Sequence, residues 1–103
     1  MIENRRKDNR VTINLAAKWD GMSGGYEAKV EDMSMGGCFV NTPGSVDPGE
    51  LVTLEINLPS GEWLQLRGEV TSYQPSIGFG LVFTFLTDEE QDLLRQLIAD
   101  ARA

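Results

Sequence analysis

An all-β-dominated fold, a small barrel of six short strands with an α-helix at the C-terminal end, is the class this sequence predicts. Three observations carry it. Apolar and polar residues alternate with period two in several short segments; clusters of Gly, Pro, Asp and Ser separate those segments at fairly regular intervals; and a helix-start signal with a helical apolar stripe occupies residues 87–103.

The first strand is Val11-Thr12-Ile13-Asn14-Leu15, whose alternation is that of a half-buried strand, extended by Ala16-Ala17-Lys18-Trp19. A turn over Asp20-Gly21 to Gly25 leads to a second strand, Tyr26-Glu27-Ala28-Lys29-Val30, which runs into Asp32. The segment Asp32-Met33-Ser34-Met35-Gly36-Gly37 reads as the loop to a third strand, Cys38 to Thr42. After the turn signals Pro43-Gly44 and Asp47-Pro48-Gly49, Leu51 to Leu58 alternates again, with Val52 and Thr53 adding β preference. Pro59-Ser60-Gly61 supplies a hairpin turn to Trp63–Val70. The last strand region, Phe79 to Phe85, is bracketed and interrupted by Gly78 and Gly80, as bulges or close backbone approaches often are. Core packing is the default role for Trp19, Trp63, Phe39, Phe83 and Phe85 in these patterns, and Cys38 reads as a small buried residue. Thr87-Asp88-Glu89-Glu90 is a capping box, and Leu93, Leu94, Leu97, Ile98 and Ala101 form the stripe behind it. The acidic cluster Asp88, Glu89, Glu90 and Asp92 complements the helix dipole and is not read as a metal site.

At 103 residues the chain fits one domain. Residues 1–10 are expected to form a flexible basic leader, and residues 11–103 a single barrel domain with its helix. Such a polar leader buries too little apolar surface to offset the entropy of fixing it. The apolar runs are far shorter than the roughly 20 residues a spanning helix needs, and the start lacks a secretory signal, so membrane insertion is not expected and a cytoplasmic location is. With one cysteine and no histidine, an internal disulfide is excluded and the usual zinc and histidine-base arrangements are absent. No catalytic residue, metal or cofactor is assigned. The net charge of −7 argues against a general polyanion binder such as a DNA-binding protein. In the leader, Arg5, Arg6, Lys7 and Arg10 against Glu3 and Asp8 give +2, which leaves −9 on the other 93 residues. One local positive site on an acidic body suits a small anion.

Two segments hold the candidate chemistry. In the leader, Arg6 and Arg10 lie up to about 13 Å apart if extended, and each planar guanidinium can pair bidentately with phosphate or with guanine O6 and N7. The bland reading is a solvated basic tail. In the second segment, Asp32 can accept both N1–H and N2–H₂ of guanine, a pair of donors that adenine lacks. The Ser34 hydroxyl can donate to a phosphate or base acceptor, and Gly36 and Gly37 would permit positive φ and bring backbone amides to a ligand. The bland reading here is an Asx or Ser turn in which Asp32 and Ser34 satisfy nearby amides.

In this order, R-x-x-x-R (Arg6, Arg10) followed by D/N-x-S-x-x-G (Asp32, Ser34, Gly37) resembles the paired signatures of the PilZ domain family, whose members bind the bacterial messenger cyclic di-GMP. The resemblance covers essentially the whole chain. It implies a six-stranded antiparallel β-barrel with an appended helix, Arg6 and Arg10 clamping guanine and phosphate, Asp32 and Ser34 engaging a guanine, and Gly37 shaping the turn. By the same analogy Tyr73 and Phe79 lie on the hairpin beside the site. Arg5 is either a further contact, stacking on a second intercalated guanine, or a solvated neighbour, and Lys7 and Asn9 are secondary candidates. One or two ligand molecules per chain both fit.

The function expected is a non-enzymatic cyclic di-GMP receptor that orders its leader on binding and signals in trans to an unidentified effector protein, as a monomer or weak dimer. The alternative is a PilZ-like adaptor for protein partners without nucleotide binding, expected to show degenerate motifs, whereas these are intact. A small barrel for single-stranded nucleic acid would interleave aromatics with a basic face, and a phosphodiesterase would need a metal cluster or an evident base and nucleophile.

Overall fold

The computed structural model describes residues 10–22 and 24–102. Strands β1 (Val11–Gly21), β2 (Gly24–Met33), β3 (Gly37–Asn41), β4 (Leu51–Asn57), β5 (Trp63–Gln74) and β6 (Gly78–Phe83) precede helix α1 (Asp88–Arg102). All neighbouring pairs are antiparallel, and they close as a barrel in the order β1-β2-β3-β6-β5-β4, β1 pairing with both β2 and β4. Among the described residues closure leaves no ladder of unpaired amides along a sheet edge.

Period-two burial explains why each strand forms. In β4, Val52, Leu54 and Ile56 turn inward while Leu51, Thr53, Glu55 and Asn57 do not, as the alternation predicts. The interior is filled by Trp19, Phe79, Met33, Leu54, Ile56 and Leu66, with Leu94, Leu97 and Ile98 of α1 joining the same cluster. Trp19 anchors it. Its ring meets Phe79 edge-on at 5.2 Å and tilts against Tyr26 at 5.1 Å, and its Nε1–H donates to the buried Thr42 hydroxyl at 3.0 Å, so the indole nitrogen is satisfied inside the barrel. The capping box forms as expected. The Glu90 amide donates to Thr87 Oγ1 at 3.1 Å, and the Thr87 amide donates to Glu90 Oε1 at 3.0 Å. The Arg67 guanidinium, 2.7 Å from the same carboxylate, and the Thr87 amide hold the Glu90 carboxyl below its ordinary range.

Several strand limits and burial expectations are corrected. Strand β1 continues to Gly21 and β5 to Gln74, whereas the final strand stops at Phe83 and not at Phe85. Phe85 is therefore no core residue; it is 86% exposed, beyond the last ladder position. Trp63 is exposed too. It opens β5 on the outward side of the pleat, where the Lys18 ammonium covers its ring at 4.6 Å. The helical stripe is narrower than the sequence suggests, because Leu94, Leu97 and Ile98 are buried whereas Leu93 and Ala101 are exposed.

The irregularity expected near Gly78 and Gly80 exists, but the extra residue is on the neighbouring strand. Val70 pairs with Leu81 and Ser72 with Gly80, so Thr71 is inserted in β5. Gly78 is a close approach: a Cβ there would strike the Val40 carbonyl oxygen, and its φ is 155°. Phe79 is buried against Trp19 as core, and the Tyr73 hydroxyl lies 3.4 Å from Ser45 Oγ.

Candidate functional site

The register of β1 on β2 builds the site. Val11 pairs with Met33 and Thr12 with Asp32, which brings the residue preceding β1, Arg10, beside the end of β2. There the Arg10 Nε–H donates to Asp32 Oδ2 at 3.3 Å, and Oδ1 of the same carboxylate lies 3.1 Å from that nitrogen in an ion pair. Both side chains are 48% exposed, so the pair contributes only about 0–1 kcal/mol and is readily exchanged for other partners. Among the described residues no bond from the terminal Nη groups of Arg10 is seen, and a planar guanidinium fork matches a phosphate or guanine edge.

Asp32 faces outward because of a one-residue bulge. Val30 pairs with Val40 and Asp32 with Phe39, so Glu31 is an extra residue in β2. Strict alternation from the fully buried Val30 would send Asp32 inward and Met33 outward; the insertion inverts the parity, leaving Met33 fully buried and Asp32 half-exposed. A signal for this was present in the sequence. Two adjacent polar residues, Glu31-Asp32, between Val30 and Met33 break the period of two.

The loop expected over residues 32–37 is shorter in the structure, since Asp32 and Met33 belong to β2 and Gly37 opens β3. Across the remaining turn the Ser34 amide donates to the Gly37 carbonyl at 2.8 Å. The Ser34 hydroxyl accepts from the Gly36 amide at 3.2 Å, and its approach to the Gly37 carbonyl, at 3.5 Å, is too long to hold its proton firmly. Ser34 is thus a turn-former whose O–H can still donate outward. The glycines depart from expectation, because neither Gly36 nor Gly37 is among the positive-φ positions. Gly37 is required by crowding instead: a Cβ there would collide with the Leu81 carbonyl oxygen of β6. The carbonyl of Gly36 accepts from the Phe83 amide at 2.9 Å, which fastens the turn to the end of β6. This backbone bond has no sequence signature.

The structure therefore brings together Arg10, Asp32, Ser34, Gly36 and Gly37. Arg5 and Arg6, with the secondary candidates Lys7 and Asn9, lie outside the described residues.

Cys38, next to this turn, is buried among core residues. Burial pushes its thiol up from 9.0 to about 12, opposed by the charge of Arg10 and aided by that of Asp32. A thiol that the fold keeps protonated contributes stability fully below its unfolded pKa near 9, and loses that contribution as pH rises toward 12. Iodoacetamide at pH 8 should accordingly label Cys38 only at the rate of global opening, accelerated by urea. Fast labelling in native buffer would contradict its burial.

A hollow of about 390 Å³ lies elsewhere, lined by Lys18, Asp20, Tyr26, Glu27, Glu55 and Gln65 among others. Three carboxylates surround its one ammonium, which rests on Trp63, so the chemistry is unfavourable for a bisphosphate. Among the described residues no group of three or more His, Cys, Asp or Glu could hold a metal, and no helix is long and apolar enough to cross a membrane.

Comparison with known proteins gives a consistent answer. The sequence matches the PilZ domain family over residues 4–100. No curated protein sequence matches the chain. Among solved structures, the PilZ domain of CeSA from a cellulose-synthesizing bacterium aligns with a TM-score of 0.72 at 19% identity, covering 91% of this chain and 98% of that one. The PilZ domain of YcgR from Escherichia coli, solved with c-di-GMP, gives 0.77 at 13% identity, covering 95% of this chain and 92% of that one. The Borreliella burgdorferi PlzA protein, solved in complex with c-di-GMP, gives 0.71 at 16% identity over 93% of this chain and 42% of that one. At these identities the likeness is one of fold.

Proposed function

The chain belongs to the PilZ domain family, and from that premise we propose that it is a cytoplasmic, non-enzymatic receptor for cyclic di-GMP. The single observation that supports this most is the strand register that seats Arg10 against Asp32, because it puts the last residue of the R-x-x-x-R element beside the first of the D-x-S-x-x-G element. In this reading residues 1–10 act as the binding arm on a barrel domain of residues 11–103. Arg6 and Arg10 clamp phosphate and guanine, with Arg5 adding a guanidinium for stacking on a second guanine. Asp32 accepts the two donors of a guanine Watson–Crick edge, Ser34 donates its hydroxyl, and Gly36 and Gly37 let the ligand lie close to the turn.

The energetics accommodate it. The ligand displaces a half-exposed ion pair worth about 0–1 kcal/mol and gains charge-assisted bonds of about 1.5–3 kcal/mol each. Association and ordering cost roughly 4 kcal/mol or more, so micromolar affinity, near −8 kcal/mol, is attainable. Ordering of the leader over the nucleotide then changes the surface offered to an effector protein in trans. The test is calorimetric titration with cyclic di-GMP, cyclic di-AMP, GTP and a short single-stranded oligonucleotide. Saturable binding of cyclic di-GMP at least tenfold tighter than the others is expected, a gap of about 1.4 kcal/mol. Equal affinity for the adenine analogue would remove the role given to Asp32, and preference for the oligonucleotide would remove the receptor.

A further inference from the structure

Phe85 is an apolar residue that the described surface spends without burying it. It is 86% exposed, so it adds almost nothing to the core, and its φ of 52° is one that a bulky side chain adopts only against a steric cost. The surroundings hold it there. Arg67 donates from Nη2 to the Phe85 carbonyl at 2.8 Å and to Glu90 Oε1 at 2.7 Å, while the Thr84 amide donates to the Arg67 carbonyl at 2.8 Å. An exposed aromatic on a fixed backbone suits an interface anchor, because the backbone entropy has already been lost before binding.

Beside it is a hollow of about 220 Å³ lined by Leu51, Val52, Thr53, Arg67, Thr84 and Phe85. Leu51 on its rim is 66% exposed, and the outward-facing Val82 extends the apolar surface across β5, where Glu69 pairs with both Leu51 and Val82. The polar surroundings are acidic. Glu69 is exposed within the patch, Asp88 and Glu89 follow Phe85 in the first turn of α1, and Arg67, the cation lining the hollow, is already neutralised by Glu90. Two copies of this face would oppose like charges on chains that each carry −7, so a second copy is the poorer occupant.

We propose that this face is a docking surface for a basic amphipathic segment of a partner protein, with one apolar side chain seated in the hollow between Leu51 and Phe85 and Lys or Arg side chains against Glu69, Asp88 and Glu89. The surface stands independently of nucleotide binding. It is nonetheless joined to the ligand turn by the bond from the Phe83 amide to the Gly36 carbonyl, two residues before Phe85.

The test uses the full chain, ¹⁵N-labelled and free of nucleotide, titrated with a 14-residue peptide of leucine and lysine in helical amphipathic order and with its leucine–glutamate counterpart. The lysine peptide should shift the amides of Leu51, Val82, Thr84 and Phe85, and the glutamate peptide should not. Phe85→Asn and Leu51→Asn should each weaken the lysine peptide about tenfold or more. Because asparagine tolerates the left-handed backbone, Phe85→Asn should also leave the melting temperature unchanged or raise it by roughly 2–5 °C. The proposal is overturned if shifts spread over the acidic body and survive both substitutions, or if both peptides bind alike. It is equally overturned if the patch shifts with protein concentration alone, which would make the occupant a second copy.

Discussion

Gly37→Ala should destabilise the domain by about 2–3 kcal/mol, lowering its melting temperature by roughly 10–20 °C, whereas Gly36→Ala one residue away should be nearly neutral. The contrast follows from what each new methyl would meet. At Gly37 it runs into the Leu81 carbonyl oxygen, with the Leu81 carbonyl carbon and Val82 Cα both at 3.2 Å; these are backbone atoms of a paired strand and cannot rotate away. At Gly36 the nearest neighbour is Ser34 Oγ at 4.0 Å, ordinary contact distance. Relief by opening the β3–β6 ladder would also loosen the bond from the Phe83 amide to the Gly36 carbonyl, so the β2–β3 turn should lose its shape together with stability. Thermal unfolding of the two variants beside the parent protein tests this. Equal melting temperatures for Gly36→Ala and Gly37→Ala would mean that the turn does not approach β6 as described.

Arg10→Ala should weaken cyclic di-GMP binding by about 1–3 kcal/mol, a factor of roughly 5 to 150 in Kd, while leaving the fold in place. Stability should change little, because what the substitution removes among the described residues is the half-exposed pair with Asp32, worth about 0–1 kcal/mol. Arg6→Ala is expected to show the same weakening, on the reading that the two guanidiniums hold the ligand from two sides. Asp32→Ala should behave differently. It removes the acceptor for guanine's two donors, so affinity for cyclic di-GMP falls toward that for cyclic di-AMP and discrimination disappears as well. Calorimetry on the three variants, with melting curves as the control for folding, separates these outcomes. Wild-type affinity in both arginine variants would sink the assignment.

Much of the barrel was legible in the sequence because its strands obey a simple rule. Val52, Leu54 and Ile56 alternate with polar or exposed neighbours, and Thr87 to Glu90 spell their own helix start. The departures all arise where tertiary geometry overrides that rule. Bulges at Glu31 and Thr71 shift the alternation by one residue, which turns Asp32 toward solvent. Phe85 continues an apparent strand pattern, yet the ladder ends at Phe83 and Arg67 of the neighbouring strand β5 captures the next turn, a contact between residues 18 apart in sequence. Arg10, Asp32 and Ser34 stood out as candidates through their resemblance to the paired PilZ signatures. Their juxtaposition was not legible, since it depends on the register of β1 on β2. Gly37 was singled out for the wrong reason: its φ is not positive, and the pressing neighbour, Leu81, lies in a strand more than forty residues downstream.

The central claim is that the leader arginines and the β2–β3 turn converge on one nucleotide. It is tested most directly by recording arginine Nε–H and backbone amide signals of the labelled chain as cyclic di-GMP is added to saturation. The account predicts that Arg6 and Arg10 Nε–H signals and the amides of Asp32, Ser34, Gly36 and Gly37 move together along one saturable curve. Movement confined to the hollow around Lys18 and Glu55, or saturation of binding with the arginine signals unmoved, would contradict it.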